Sequence, residues 1–228
     1  TLEPGEAVNT IYGENAQGKT NLLESIWLFT GVRSFRGAKD ADLVQNGAEA
    51  ASLKITFFSE ERPQTAEIRI TDGKKAACLN GVPLRSCSGL IGKFRAVAFS
   101  PENISLVSGG PALRRNFLDL SLCEMRPGYA ALLGRYERAL FQRNALLKDI
   151  PRHAELLDSL DIWDEKLAAY GEKVTAARAS YLERLCVPTE EFYSGICGNR
   201  EKIGLFYRKS AQNLRDSLKA AHNGDVVS

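Results

Sequence analysis

Apolar residues fall at different spacings along the chain, and each spacing predicts a different element. Residues 8–12 (Val8-Asn9-Thr10-Ile11-Tyr12) make a short strand-like run. Leu22, Leu23, Ile26, Trp27 and Phe29, with Thr30, then follow helical spacing, which predicts a helix with one buried face from about residue 18 to 30, ended by Gly31. A polar segment over 31–47 separates this helix from a stretch of period two. There Leu53, Ile55 and Phe57 alternate with polar residues, as do Ala66, Ile68 and Ile70, the pattern of half-buried strands. Asp72-Gly73 and Asn80-Gly81 are tight-turn pairs, so residues 52–85 read as a small antiparallel meander.

Residues 95–99 (Arg95-Ala96-Val97-Ala98-Phe99) predict a short buried strand. Ser100-Pro101-Glu102-Asn103 predicts the start of a helix, with serine at the cap and proline at the first position. Gly109-Gly110-Pro111 breaks the chain, and helical spacing dominates from Ala112 onward. Tyr129, Leu132, Tyr136, Leu140 and Leu147 form one stripe, and Trp163, Leu167, Tyr170, Val174, Ala177, Tyr181 and Leu185 another. The second stripe steps by fours and threes, so two long helices lie side by side as an antiparallel hairpin. Its turn is expected over 149–159, where Pro151 breaks the first helix. Residues 203–208 read as a further strand and 211–222 as a helix with Leu214 and Leu218 inward, before a polar tail over 223–228.

Between the first strand-like run and the first helix stands Gly13-Glu14-Asn15-Ala16-Gln17-Gly18-Lys19-Thr20, which fits G-x-x-x-x-G-K-[ST]. The glycines let the backbone curl so that successive N–H groups face one anion, and the helix that follows aims its positive end at the same point. Lys19 supplies a point charge for the terminal phosphates and carries the catalytic assignment, while the Thr20 hydroxyl is a ligand for Mg2+. The expected cofactors are therefore ATP and Mg2+, held by residues 13–20.

Composition limits the remainder. The 228 residues are 44% hydrophobic and 25% charged, ordinary for one large or two modest globular domains. No apolar run is long enough to span a membrane and no leader opens the sequence, which predicts a cytoplasmic protein. Cys78, Cys87, Cys123, Cys186 and Cys197 form no C-x-x-C pair, and His153 and His222 stand apart, so reduced thiols and no zinc site are expected. The sequence starts at Thr1, and Met125 is its only methionine, as in a piece of a longer protein. Net charge is only +2, but residues 112–152 carry Arg114, Arg115, Arg126, Arg135, Arg138, Arg143, Lys148 and Arg152 against Asp119, Glu124, Glu137 and Asp149. This weak positive stretch reads first as a solvated helix face and second as a nucleic-acid footprint.

Several motifs together carry a resemblance. Residues 13–26 followed by Gly31-Val32-Arg33-Ser34-Phe35-Arg36, then Phe99-Ser100-Pro101-Glu102-Asn103, Arg114-Arg115-Asn116-Phe117-Leu118-Asp119, Gln142-Arg143-Asn144-Ala145-Leu146-Leu147-Lys148 and Trp163-Asp164-Glu165-Lys166-Leu167 occur in this order. The chain resembles the amino-terminal part of the RecF family of bacterial DNA replication and repair proteins. The resemblance implies an α/β fold: part of a P-loop ATPase head of the ABC and SMC type, with an antiparallel β meander and an inserted α-helical arm. It implies an ATPase lobe over 1–111, the arm over 112–200 and a return to the head over 201–228. It further implies ATP held between two heads in an ATP-dependent homodimer, binding of gapped or junction DNA, and loading of RecA together with RecO and RecR.

The opening strand of the family, the dimer-signature segment and the acidic magnesium motif do not occur within the 228 residues, so weak hydrolysis is expected of the complete protein and little of this stretch. Arg33 and Arg36 are candidate contacts to nucleotide or DNA. Glu102 stands where ABC heads carry a phosphate-sensing glutamine. Arg114 and Arg115, about 100° apart on a helix, are expected to divide between an internal pairing and DNA phosphate. Two other readings remain open: a P-loop kinase or transport ATPase acting on a small molecule or membrane partner, and an interaction module with a silent P-loop.

Overall fold

The computed structural model describes residues 1–126, 128–209, 211 and 213–225, with the backbone alone described at Glu102 and at 222–225. The chain forms two compact units, Thr1–Asn103 and Ile104–Ser228, a division that lies ahead of the Gly109-Gly110-Pro111 break.

In the first unit, helix α1 spans Lys19–Trp27 and tightens into a 3-10 turn at Leu28–Thr30. It stops at Gly31, whose φ of +82° suits glycine; a Cβ there would lie 2.8 Å from the Ile91 nitrogen. Beside it lies a four-stranded antiparallel meander in the order β1 (Ala50–Ser59), β2 (Arg62–Thr71), β3 (Lys74–Leu79), β4 (Val82–Pro83). The register sets Leu53 opposite Ile68 and Ile55 opposite Ala66, so the apolar positions share one face. That face, with Ala66, Ile68, Ile70 and Ala77 buried, closes over Leu28, Phe29 and Leu90. Burying Ile68 and Ile70 contributes roughly 2 kcal/mol each, and the same contacts hold the far end of α1 against the sheet.

Asp72-Gly73 and Asn80-Gly81 turn with positive φ at all four residues, as the sequence predicts. The first hairpin turns instead on Glu60 and Glu61 (φ 53° and 59°), which carry no turn signature. Lys93 Nζ, 2.8 Å from Glu60 Oε1, helps hold that turn and keeps the Glu60 carboxyl below its usual range.

The three other expected strands are not strands. Residues 8–12, 95–99 and 203–208 belong to no sheet, and Val8, Tyr12, Val97, Phe99 and Phe206 are exposed. A strand needs a neighbour to take its backbone hydrogen bonds. Among the described residues none of these runs has one, so apolar, β-prone sequence alone does not make a ladder.

The second unit is helical: α2 (Ser105–Ser108), α3 (Pro111–Met125), α4 (Tyr129–Asp149), α5 (Leu157–Cys197) and α6 (Leu214–Asp225). Ser100 stands directly before a 3-10 turn at Pro101–Ile104 that leads into α2, so Pro101 takes the first position as expected; the Ser100 N–H donates to Asn103 Oδ1 (2.6 Å) and its carbonyl accepts the Asn103 N–H (3.0 Å). Helices α4 and α5 pack antiparallel, with Leu147, Ile150 and Leu160 buried beside the turn. The buried side of α5 includes Leu160, Asp164, Leu167, Ala168, Gly171, Val174 and Arg178. Two charged residues thus sit where the apolar stripe alone places none. Gly171 admits Leu214 of α6, whose Cδ2 would meet a Cβ there at 2.6 Å.

Candidate nucleotide-binding site

The loop over residues 13–18 is exposed and curled. Gly13, Ala16 and Gly18 have φ of +147°, +65° and +81°, and Gly18 caps α1 in the left-handed conformation. The first intrahelical bond is Leu22 N–H to the Gly18 carbonyl (3.0 Å), so the N–H groups of Lys19, Thr20 and Asn21 have no acceptor in the helix. Gly18 offers no side-chain cap, and no acidic residue occupies the first turn. The positive end of α1 is therefore left for an outside anion. Lys19 turns back across the loop, and its Nζ donates to the carbonyls of Gly13 (2.7 Å) and Glu14 (2.6 Å). Two of its three N–H groups are spent on the loop, leaving one for a ligand. Thr20 is exposed beside it, at the start of the helix. These residues fit a magnesium-bound triphosphate: backbone donors and Lys19 for the phosphates, the Thr20 hydroxyl for the ion.

The residues after α1 close back upon it. Glu24 is only 3% exposed, although carboxylates are rarely buried without partners. Ser34 donates its hydroxyl to Glu24 Oε1, and Ser34 Oγ in turn accepts the N–H groups of Arg36 and Ala38, both at 3.1 Å. Arg36 Nη1 donates to Glu24 Oε2 (3.2 Å) and to Asn21 Oδ1 (3.0 Å). Trp27 Nε1 donates to the Arg33 carbonyl (2.9 Å), and its ring meets Phe35 edge-on at 6.0 Å. The segment 31–38 is thereby fastened along α1 by side chains rather than by secondary structure.

Of the two arginines singled out there by sequence, the structure brings Arg36 to the first turn of α1 and ties Arg33 by its backbone, leaving the Arg33 side chain exposed. The Glu102 side chain lies outside the described residues. Arg114 caps α2 within its own unit, Nη1 donating to the carbonyls of Leu106 (3.0 Å) and Gly109 (2.8 Å), while Arg115 is exposed on α3. Sequence reasoning missed Glu24 and Ser34. The apolar spacing gave no signal for Glu24, which lies about 140° round the helix from the centre of the stripe of Leu22, Leu23, Ile26, Trp27, Phe29 and Thr30, yet is the buried residue of α1.

The helical unit uses its charges differently. Asp119 of α3 receives both Arg178 Nε (2.7 Å) and Nη2 (2.6 Å) from α5, and the Tyr129 hydroxyl of α4 (2.7 Å). Burial works against the Arg178 charge, but Asp119 outweighs it and raises the guanidinium above its ordinary range. Burial first, then the Asp119 hydrogen bond, raises Tyr129 as well. Arg143 of α4 meets Asp164 of α5 at 2.6 Å with both side chains buried. These polar groups saturate one another and read as fasteners of the helices.

No family model matches the chain. Individual relatives do. The chain is 35% identical to the DNA replication and repair protein RecF of Agathobacter rectalis over 96% of its own length and 61% of that protein's. It is 36% identical to RecF of Acetivibrio thermocellus over 92% of itself and 57% of the relative. A solved structure of the recombination mediator protein RecF-ATPrS in the RecFOR pathway superposes with a TM-score of 0.92 at 35% identity, over 99% of this chain and 64% of the other. The chain is homologous to the RecF proteins. It spans about six tenths of the length of the RecF relatives it matches. A second RecF structure, RecF-ATP in the RecFOR pathway, superposes with a TM-score of 0.87. The α/β class expected from sequence, part of an ABC-type ATPase head with an antiparallel meander and a helical arm, is the fold found. No described helix is long and apolar enough to cross a membrane.

Proposed function

We propose that the chain is the nucleotide-binding part of a RecF-type recombination mediator, using Mg-ATP at residues 13–20 to control binding of DNA. The observation that carries the reading is the loop itself: a curled backbone, three helix N–H groups without acceptors, and Lys19 folded over the mouth. Lys19 and the N–H groups of the first turn hold the phosphates, and Thr20 holds the ion. When bound, magnesium neutralises charge on the phosphate oxygens and orients them. The relatives described with ATP and ATPrS support the choice of nucleotide. Lys19 is the residue assigned to any hydrolysis, which we expect to be weak in the complete protein.

The same reading assigns residues 1–111 to the ATPase lobe, 112–200 to a helical arm and 201–228 to the return of the chain. It assigns the complete protein, in the cytoplasm, an ATP-dependent homodimer that binds gapped or junction DNA and, with RecO and RecR, assists RecA. Arg115 is the better candidate of its pair for DNA phosphate, because Arg114 is occupied at the end of α2. The reading is tested on the full-length protein by fluorescence anisotropy of a labelled gapped duplex, with and without Mg-ATP, for the wild type and Lys19→Ala. We expect ATP to strengthen DNA binding and Lys19→Ala to remove that gain. DNA binding indifferent to both would move the P-loop to another substrate, such as the small molecule of a kinase.

A further inference from the structure

Thr20, Asn21 and Glu24 lie on one side of α1, because 100° per residue places Glu24 about 40° round from Thr20 and one turn further on. Arg36 lies against that side, with Nη1 shared between Asn21 and Glu24. An arginine that neutralises a buried acid frequently meets it with two nitrogens, as Arg178 meets Asp119. Arg36 instead spends one nitrogen on Glu24, and its side chain remains 46% exposed. Among the described residues its Nε and Nη2 donate to no protein acceptor. Glu24, 4% exposed along its side chain, is the fixed partner, with its other oxygen held by Ser34.

We propose that Glu24 is a positioning residue of the nucleotide site: by gripping Arg36 it fixes a second positive charge, after Lys19, at the first turn of α1 for the phosphate groups of a nucleoside triphosphate. This rests on the nucleotide reading above. Arg36 touches the ligand and Glu24 acts through it. The two anions do not compete for the same edge of the guanidinium, since Glu24 takes Nη1 and the remaining edge is open. Arg33 has no such grip and takes no part.

The test uses the full-length protein and two probes, mant-ATP and mant-AMP, with dissociation constants from fluorescence titration and folding checked by thermal melting. Lys19→Ala is expected to lose mant-ATP binding. Arg36→Ala should weaken mant-ATP about tenfold, the scale of one charge-assisted hydrogen bond, and mant-AMP far less. Arg36→Lys should recover part of the loss, and Arg33→Ala should bind as the wild type does. Glu24→Gln, which keeps the side chain's size and removes its charge, should weaken mant-ATP and spare mant-AMP. The double variant Glu24→Gln with Arg36→Ala should be no weaker than Arg36→Ala alone, since both remove one interaction. If Glu24→Gln does not fold, Glu24→Asp draws the grip back by one carbon and should give the same pattern.

Wild-type affinity in Arg36→Ala, with Lys19→Ala inactive, would overturn the proposal and leave the nucleotide reading standing. So would losses that multiply in the double variant, or a Glu24→Gln loss equal for both probes, which marks a merely structural acid. Lys19→Ala binding mant-ATP like the wild type would remove both.

Discussion

Glu24 in the first unit and Asp119 and Asp164 in the second are carboxylates held by arginine, yet their partners sit very differently. The Arg36 side chain is 46% exposed, whereas those of Arg178 and Arg143 are 10% and 6% exposed. Arg178 gives two nitrogens to one acid that also receives Tyr129, and three helices meet there. Arg36 gives one nitrogen to Glu24, shared with Asn21 in the first turn of α1, and leaves the rest of its fork without a protein acceptor among the described residues. Enclosure and saturation suit a charge to fastening helices. An anchored arginine with an open edge is suited to a ligand.

The largest effect that distinguishes the two is predicted at Asp164. Replacing it with alanine removes the carboxylate that the buried Arg143 Nε meets at 2.6 Å, a loss of about 3–5 kcal/mol. Urea unfolding of the full-length protein followed by circular dichroism measures the loss, and nucleotide affinity of the folded variant should not change. A nucleotide effect as large as that of Arg36→Ala would break the distinction between fastening and ligand-facing arginines.

Glu24→Gln is predicted to cost less stability, about 1–2 kcal/mol, because Arg36 already reaches water and Ser34 retains an acceptor. Its thermal midpoint should therefore fall less than that of Asp164→Ala, although its effect on triphosphate binding should be the greater. The two variants should rank oppositely in the two measurements.

The same contrast between partnered and unpartnered groups governs what the sequence disclosed. Leu53, Ile55 and Phe57, and Ala66, Ile68 and Ile70, became strands because the short turn at Glu60 and Glu61 brings them into mutual register, so pattern and pairing are both local. Residues 95–99 are as β-prone, but Val97 is 97% exposed and unpaired; a strand depends on a neighbour that its own residues do not encode. Helices satisfy their own hydrogen bonds, which is why α1, α4 and α5 form where helical spacing predicts them; the face α1 buries is not the predicted one, since Leu23 is exposed and Glu24 is buried. At the site, residues 13–20 were legible because a phosphate loop is one contiguous motif. Glu24 and Arg36 were not legible as a pair, since what joins them is the path of residues 31–38 rather than any spacing. Asp164 and Arg178 were hidden for a related reason: reading only apolar residues as buried leaves out the acids and bases that satisfy one another.

Alkaline pH offers a subtler probe of the helical unit. The Cys123 thiol on α3 is pushed up to about 11, first by burial and then by the charges of Asp119, Glu137 and Glu124. Below about pH 9 the thiol is protonated in both folded and unfolded chains, so it imposes no penalty on folding. Between about 9 and 11 the unfolded chain releases the proton and the folded chain retains it, so stability falls as pH rises through that window. Tyr129 is raised too and contributes loss in the same direction at higher pH. Cys123→Ala should make the melting temperature decline less steeply between pH 9 and 11. An unchanged slope would mean that the thiol is not enclosed beside Asp119.

The smallest effect is expected at an ion pair that has geometry without burial. Lys54 and Glu67 face each other across β1 and β2 at 2.7 Å, shorter than the Arg36–Glu24 bond, but their side chains are 64% and 52% exposed. Water already solvates both, and holding two long side chains in one arrangement costs rotamer entropy, so the pair contributes less than about 1 kcal/mol. A double-mutant cycle with Lys54→Ala and Glu67→Ala should give a coupling of a few tenths of a kcal/mol that shrinks further in 0.5 M salt. If the cycle instead returned a coupling near that of Arg143 and Asp164, distance would set the strength of these pairs. Enclosure would then no longer explain why Arg178 and Arg143 fasten helices while Arg36 stands open.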